Sequence, residues 1–319
     1  MSNSLNPISD LTYRGYDGPL ASPEFRWWVI ARMTIRKASK VNSLRWAAVL
    51  SAWYYVMMIA VLFFLQAIGN AQPAAQQFYQ QYLQRMVWKD QFVYGFSYAQ
   101  HLILIVSLVL GAGAIANDNR ANALLVYLSK PCTRWDYVLG KWVGVFTPIF
   151  TVIAVPTICF YLYGVFSFKD SGFISQDPWL LPKMMSVLLI SASLHTSLIL
   201  AVSSLFKQGT IAGAVYSGAY FFTFFFTGLL SILWTNPHGA HSGLMRTLLY
   251  CSIDGIQIGM AKAMLVPSGT LAFGINIPGR NRVPLPIPSV APILIVVFGI
   301  TVVCLGVIWS RVRAVEVVG

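Results

Sequence analysis

Few residues of this sequence could do chemistry in an apolar environment. Its six longest apolar runs contain no Lys, Arg, Asp or Glu, and the only histidines within them are His101 and His195. An imidazole there can relay a proton, or it can stay neutral and hydrogen-bond to a neighbouring helix. We interpret both histidines as neutral contacts between helices and keep a place on a solute pathway as the alternative.

The fifth apolar run is dense in aromatic side chains, namely Tyr216, Tyr220, Phe221, Phe222, Phe224, Phe225 and Phe226. Packing and lipid contact are the simpler explanation, because large apolar rings fill both roles. The alternative is an aromatic-lined route for an amphipathic or lipidic molecule. In that alternative Tyr216 and Tyr220 join the two histidines as pathway residues.

The remaining patterns give no catalytic site. The sequence has no Walker A pattern, and it has neither paired acids nor a nucleophile–base set in its loops. His238 and His241 lie three apart in a loop without a third ligand, and the four cysteines share no metal-binding or disulfide spacing. We therefore expect no catalytic, cofactor-binding or metal-binding residues and no enzymatic activity in this chain.

The composition places most of the chain in a membrane. Of its 319 residues 57% are hydrophobic and 10% charged, and the mean hydropathy is +0.65. A membrane span needs about 20 mostly apolar residues. The six runs that qualify are Trp46–Ile68, Phe92–Ala116, Trp142–Phe166, Met184–Phe206, Thr210–Trp234 and Ser289–Ser310. Lipid cannot satisfy open backbone groups, so the sequence predicts an all-α integral membrane protein.

The basic residues predict the orientation. With both termini in the cytoplasm, fourteen of the 22 lysines and arginines fall in the inside segments, as the positive-inside rule expects. The net charge of +12 then reflects topology and contact with lipid headgroups. A nucleic-acid partner is disfavoured, because the basic residues form no tract interleaved with aromatics. We expect a multi-pass protein of the inner (plasma) membrane.

Residues 1–44 are predicted to form a cytoplasmic tail and an amphipathic helix, and residues 45–319 the six-span domain. Ser22-Pro23-Glu24 is a helix start, and Arg32, Arg36 and Lys40 follow as an i, i+4, i+8 stripe. We expect the helix over 23–40 to lie in the interface with its apolar face in the acyl boundary. The alternative is an ordinary juxtamembrane basic segment.

A polar stretch, LSKPCTRWDYVLGK (128–141), separates the second and third apolar runs. Before it, Ala121, Leu124, Leu125 and Leu128 fall on one face of a short helix that Pro131 ends. This face needs a cover, either lipid or a soluble partner. Between the fifth and sixth runs, 244–258 and 260–273 are too short to span and are typical of re-entrant or interfacial helices.

The segment Asn117–Val143 resembles the connection between the second and third spans of ABC-2 type permeases, the membrane subunits of ATP-binding-cassette exporters. That family has an acidic-Arg-x-x-Gly-Thr-Leu helix, then Leu-Ser-x-Pro, a hydroxyl residue, Arg and Leu-Gly-Lys. The matching residues here are Leu128, Ser129, Pro131, Thr133, Arg134, Leu139, Gly140 and Lys141. Asp118 and Arg120 lie near the charged start, whereas Asn122 and Ala123 replace the usual Gly and Thr.

The resemblance implies that two permeases, identical or related, pair and that each docks a separate cytoplasmic ATPase, which carries ATP and Mg²⁺. The helix over 118–130 would be the coupling helix seated on that ATPase. The implied ATPase contacts are Arg120, Leu124, Leu125, Leu128, Pro131, Arg134, Arg32 and Arg36. The alternative function is a non-transporting membrane anchor or assembly subunit that works with an ATPase.

Overall fold

The structure is a computed structural model that describes residues 25–123, 132–169, 171–236, 241–267 and 285–312. All of the regular elements in these ranges are helices. Six helical segments are long and apolar enough to cross a membrane. The prediction of an all-α membrane protein with six spans is therefore confirmed.

The first half of the chain supplies three spans. Its helices are α1 (Arg26–Ser39), α2 (Asn42–Ser51), α3 (Trp53–Ala71), α4 (Pro73–Arg85), α5 (Trp88–Gly111), α6 (Ala116–Arg120) and α7 (Arg134–Phe168). The first span is α2 with α3, broken at Ala52, and the second is α5 with α6. Two spans begin earlier than predicted: α5 includes the buried Asp90, and α7 starts at Arg134 rather than Trp142.

The second half supplies the other three spans. Its helices are α8 (Phe173–Gln176), α9 (Leu180–Leu205), α10 (Gly209–Thr235), α11 (Gly243–Leu248), α12 (Ile253–Leu265) and α13 (Val290–Arg311). The helix α12 occupies the connection between spans five and six and packs against α5, α9, α10 and α13. It is part of the bundle rather than a surface loop.

The centre of the bundle is α9, which packs against α5, α7, α10, α12 and α13. Its most apolar window is 61% buried, whereas that of α10 is 17% buried. The exposed side of α10 is aromatic, with Phe222 75% and Phe225 69% exposed. In a membrane such a face contacts lipid or another membrane helix.

The helix α1 packs on the first half of α7 through two glycines spaced four apart. A Cβ at Gly140 would lie 2.7 Å from the Ile30 side chain, and one at Gly144 would lie 2.6 Å from Thr34. Such small residues let two helices approach closely. The prediction had turned the apolar face of this helix to the acyl boundary. In the structure Ile30 and Ala31 are buried against protein instead, and Arg32 and Arg36 are exposed.

Candidate functional site

An ion pair joins the second and third spans where the polar connection between them begins and ends. The Nζ of Lys141, on α7, lies 2.7 Å from Oδ2 of Asp118, on α6. The same oxygen accepts a hydrogen bond of 2.8 Å from the hydroxyl of Tyr137. Lys141 also donates to the carbonyl of Ala114, at 2.8 Å. These bonds hold the end of span two and the start of span three in one geometry; we call this cluster the junction.

The fourth span supports the junction from the other side. The hydroxyl of Ser203, on α9, accepts hydrogen bonds from the backbone amides of Ile115 and Ala116, and it donates to the carbonyl of Ala112. The side chain of Asn119 donates to the carbonyl of Ser204. The break between α5 and α6 leaves backbone groups without helical partners, and Ser203 satisfies them.

The far end of the connection is fixed by a capping box. The hydroxyl of Thr133 accepts from the amide of Asp136, and the Asp136 carboxylate accepts from the amide of Thr133. This cap starts α7 ahead of the apolar run. Burial and the Asp136 carboxylate raise the pKa of the Cys132 thiol, against an opposing effect of Arg26 on α1. The thiol is therefore a weak nucleophile at neutral pH.

The predicted ATPase-contact residues fall into two groups. Arg120, at the end of α6, and Arg134, at the start of α7, are exposed on either side of the junction. A groove of about 210 Å³ separates the junction from α1 and is lined by Met33, Lys37 and Lys141, among others. The other predicted contacts, Leu124, Leu125, Leu128 and Pro131, lie outside the described residues.

A second polar cluster lies inside the bundle, between α9, α10 and α12. Nδ1 of His195 lies 2.6 Å from the hydroxyl of Tyr216, and its Nε2 lies 2.8 Å from Nε2 of Gln257. The Gln257 amide nitrogen also donates to the carbonyl of Ile253, and its oxygen accepts from Ser191. We call these four side chains, His195, Tyr216, Gln257 and Ser191, the buried network.

The hydrogen bonds assign one tautomer to His195. An amide nitrogen only donates, so Nε2 of the imidazole accepts and its proton is on Nδ1, which donates to Tyr216. This is a neutral ring with both nitrogens satisfied. All four side chains of the buried network are at most 2% exposed. The network therefore fixes α12 against α9 without burying a charge.

A second branch links α12 to α10 and to span two. The hydroxyl of Tyr220 lies 3.4 Å from a carboxylate oxygen of Asp254, and Thr227 donates to Ser252, the N-cap of α12. The ring of His101 packs edge-on against Tyr220 and Phe224. Whereas Tyr220 is fully buried, His101 is exposed.

The four residues named as pathway candidates, His101, His195, Tyr216 and Tyr220, thus share one region around α12. Sequence reasoning missed Ser191, Asp254 and Gln257, which are their partners. The available signal was polar residues within the moderately apolar segment 244–258. At the junction it named the flanking arginines and missed the ion pair itself.

Six membrane-crossing helices, a rigid junction between the second and third and an inserted helix between the last two define a multi-pass membrane permease. The sequence matches the family model described as ABC-2 family transporter protein over residues 45–263. This match covers more than half of the chain, so the chain belongs to that family and is a membrane permease of an ABC system. A search of curated proteins found no match.

Proposed function

We propose that this chain is the permease subunit of an ATP-driven exporter and that a separate cytoplasmic ATPase drives it. The ATP and Mg²⁺ belong to that ATPase, and this chain is not itself an enzyme. Family membership supports the ATPase partner. The observation that carries the proposal is the junction, in which the Lys141–Asp118 pair ties spans two and three together.

A force applied to the connection between these spans reaches both of them because the junction is stiff. Asp118 and Lys141 have side chains 20% and 11% exposed, so water screens their attraction only in part. Ser203 extends the same contact to α9, which packs against most of the bundle. A partner seated on Arg120, Leu124, Leu125, Leu128, Pro131 and Arg134 would therefore move three spans together.

The helix α1 provides a second surface for the same partner. Its exposed Arg32 and Arg36 lie on the side opposite to its contact with α7. Because Gly140 and Gly144 bring α1 close to α7, a push on α1 also reaches the third span. Two contacts on one span give the ATPase a lever rather than a single hinge.

The substrate path in this proposal runs along the exposed face of α5 and α10, where His101 lies beside Phe224 and Tyr220. A single chain offers this face on one side only. We infer that a second permease, either another copy or a related chain, closes the path. The exposed aromatic side of α10 is the surface that such a partner and lipid would share.

Substitution of Leu125 by Asp tests the ATPase contact. A carboxylate on the apolar face should abolish most of the co-purification of the ATPase, because hot spots are few and central. The matched control, Gln76→Asp in α4, should retain the ATPase. Both variants are measured by co-purification and ATP turnover. Native mass spectrometry of the unmodified complex should show two permeases. Full retention and full coupling with Leu125→Asp would refute the proposed contact.

The proposed orientation places both termini in the cytoplasm of the inner membrane and α4 and α11 outside. The excess of basic residues in the inside segments supports it. Single cysteines at Gln76 and Ser242, in a background without the native cysteines, should react with an impermeant maleimide in intact cells. Reaction only after permeabilisation would reverse the orientation.

One observation favours the alternative of a non-transporting anchor. The buried network satisfies its own polar atoms and is closed to solvent, so it offers no group to a substrate. In an anchor the ATPase would use the permease fold only for mechanical work. Substrate-stimulated ATP turnover in liposomes, abolished by substitution of His101, would support the exporter.

A further inference from the structure

An apolar groove of about 620 Å³ opens between the first and third spans. Its walls are the outer sides of α2 and α3 and the middle of α7, and the end of α1 closes it at one side. Among its lining residues are Ala48, Val56, Val155 and Cys159. Binding sites for small molecules in proteins have volumes of about 300–1,000 Å³, so this groove can hold a ligand.

The polar atoms of the groove walls are largely turned to their own helices. The hydroxyls of Thr147 and Thr151 donate to carbonyls one turn earlier on α7, and that of Ser39 donates to Arg36. The walls therefore present methyl and methylene groups. A polar ligand would lose its hydration there without gaining hydrogen bonds, whereas an alkyl chain would lose nothing.

The only charged residue that lines the groove is Arg45, at one of its ends. Its Nη2 donates to the carbonyl of Ser39 at 3.3 Å, so the guanidinium lies where α1 meets α2. Arg45 is exposed, and no carboxylate of the described ranges pairs with it. The next residue, Trp46, is 68% exposed, and exposed tryptophans are typical of the headgroup level of a membrane.

The length of the groove fits one leaflet. The two helices run parallel here, because Ser51 donates to the carbonyl of Val152 and Thr157 donates to Tyr55 further along. The lining residues extend from Leu44 to Ile59 on one side and from Thr147 to Phe160 on the other. At 1.5 Å per residue this is about 20 Å. A leaflet of the hydrocarbon core is about 15 Å thick.

From these four observations we infer that the groove binds one anionic phospholipid, with an acyl chain between α2–α3 and α7 and its phosphate on Arg45. Guanidinium binds phosphate through paired N–H donors, and four of its five donors are free of the bond to Ser39. Since α2 and α7 both belong to moving spans in the proposed exporter, the lipid would adjust how they separate. The binding itself does not depend on that function.

Native mass spectrometry of the delipidated full-length chain in detergent tests the inference, with phosphatidylglycerol and phosphatidylcholine of identical acyl chains as probes. One cationic contact near a membrane surface contributes about a fivefold preference for the anionic lipid. Arg45→Gln should reduce this preference to less than about twofold. Arg311→Gln, an exposed arginine at the end of α13, should leave it unchanged.

Val56→Trp tests the acyl chain. Val56 is 57% exposed and lines the groove, so an indole there fills the space without disturbing the core. Retention of both lipids should fall at least about threefold, with an unchanged thermal midpoint. Three results would overturn the inference: a preference that survives Arg45→Gln, one that Arg311→Gln lowers equally, or unchanged retention in Val56→Trp. If Val56→Trp altered only the monomer–dimer ratio, a second copy would occupy the groove instead.

Discussion

The junction and the buried network solve the same problem, the fastening of neighbouring spans, with opposite chemistry. The junction uses a full ion pair, Asp118 with Lys141, whose side chains are 20% and 11% exposed. The network uses the neutral groups of His195, Tyr216, Gln257 and Ser191, which are at most 2% exposed. Charge is thus retained where water and headgroups reach it, and it is absent from these four side chains, where they do not.

The difference follows from the energy of desolvation. An ion removed from water loses several kcal/mol of solvation, which only excellent pairing offsets. A neutral amide or imidazole loses far less and recovers it with one good hydrogen bond on each polar atom. A contact that must respond to a soluble partner can remain half in water. A contact that only fixes α12 in the bundle cannot, and it is built from neutral groups.

Removal of one charge from the junction should have the largest effect. Lys141→Met leaves the carboxylate of Asp118 with only the hydroxyl of Tyr137 as partner. We expect a loss of about 2–3 kcal/mol, below the full value for buried pairs because both side chains are partly exposed. The thermal midpoint and the coupling of ATP turnover to transport would both fall.

A second lysine provides the matched control for Lys141→Met. Lys183 also lies 2.7 Å from an aspartate, Asp177, but its side chain is 36% exposed and the pair is on the connection between α7 and α9. Lys183→Met should cost less than about 1 kcal/mol and leave coupling intact. Equal losses of coupling in the two variants would mean that the junction has no special place in force transmission.

Disruption of the buried network should have an intermediate effect confined to stability. Gln257→Leu leaves Nε2 of His195 and the hydroxyl of Ser191 without partners, at an expected cost of about 1–3 kcal/mol. Removal of all four polar groups by His195→Phe, Tyr216→Phe, Gln257→Leu and Ser191→Ala should recover most of that loss. ATPase binding should be unchanged throughout, as measured by co-purification. The control is Gln208→Leu at an exposed position.

Weaker binding of the ATPase in Gln257→Leu than in Lys141→Met would reverse the comparison. It would show that the bundle interior, rather than the junction, sets the geometry of the docking surface. A quadruple variant no more stable than Gln257→Leu would mean that the network contributes attraction of its own, beyond satisfying polar atoms that have no access to water.

The six spans could be predicted from the sequence because each contains about 20 residues without charge, which only a membrane helix explains. The starts of α5 and α7 could not, because helices continue into the polar headgroup region: Thr133 and Asp136 cap α7 ahead of its apolar run. The apolar side of α1 was assigned to lipid because a helical wheel shows a face but not what covers it.

The polar contacts divide in the same way. The local motif placed Arg120 and Arg134 beside the connection, since those residues are close in sequence. The partners of His195 could not be predicted, because Gln257 is 62 residues away and joins it only through the packing of α12 against α9. Periodicity identifies faces of one helix and is silent about which helix meets that face.

The smallest effects should come from single hydroxyls, and they rank the two branches around α12. Tyr220→Phe removes a long hydrogen bond of 3.4 Å to Asp254 and retains the ring contacts with His101 and Phe224. We expect a loss of about 0.5 kcal/mol or less. Tyr216→Phe removes the acceptor that lies 2.6 Å from Nδ1 of His195 and should cost about 1 kcal/mol more, because a buried N–H then lacks a partner. Thermal midpoints measured side by side give the ranking. A larger loss in Tyr220→Phe would show that Asp254, rather than His195, holds α12 in the bundle, so a charged group would be doing inside the bundle what the junction does at its edge.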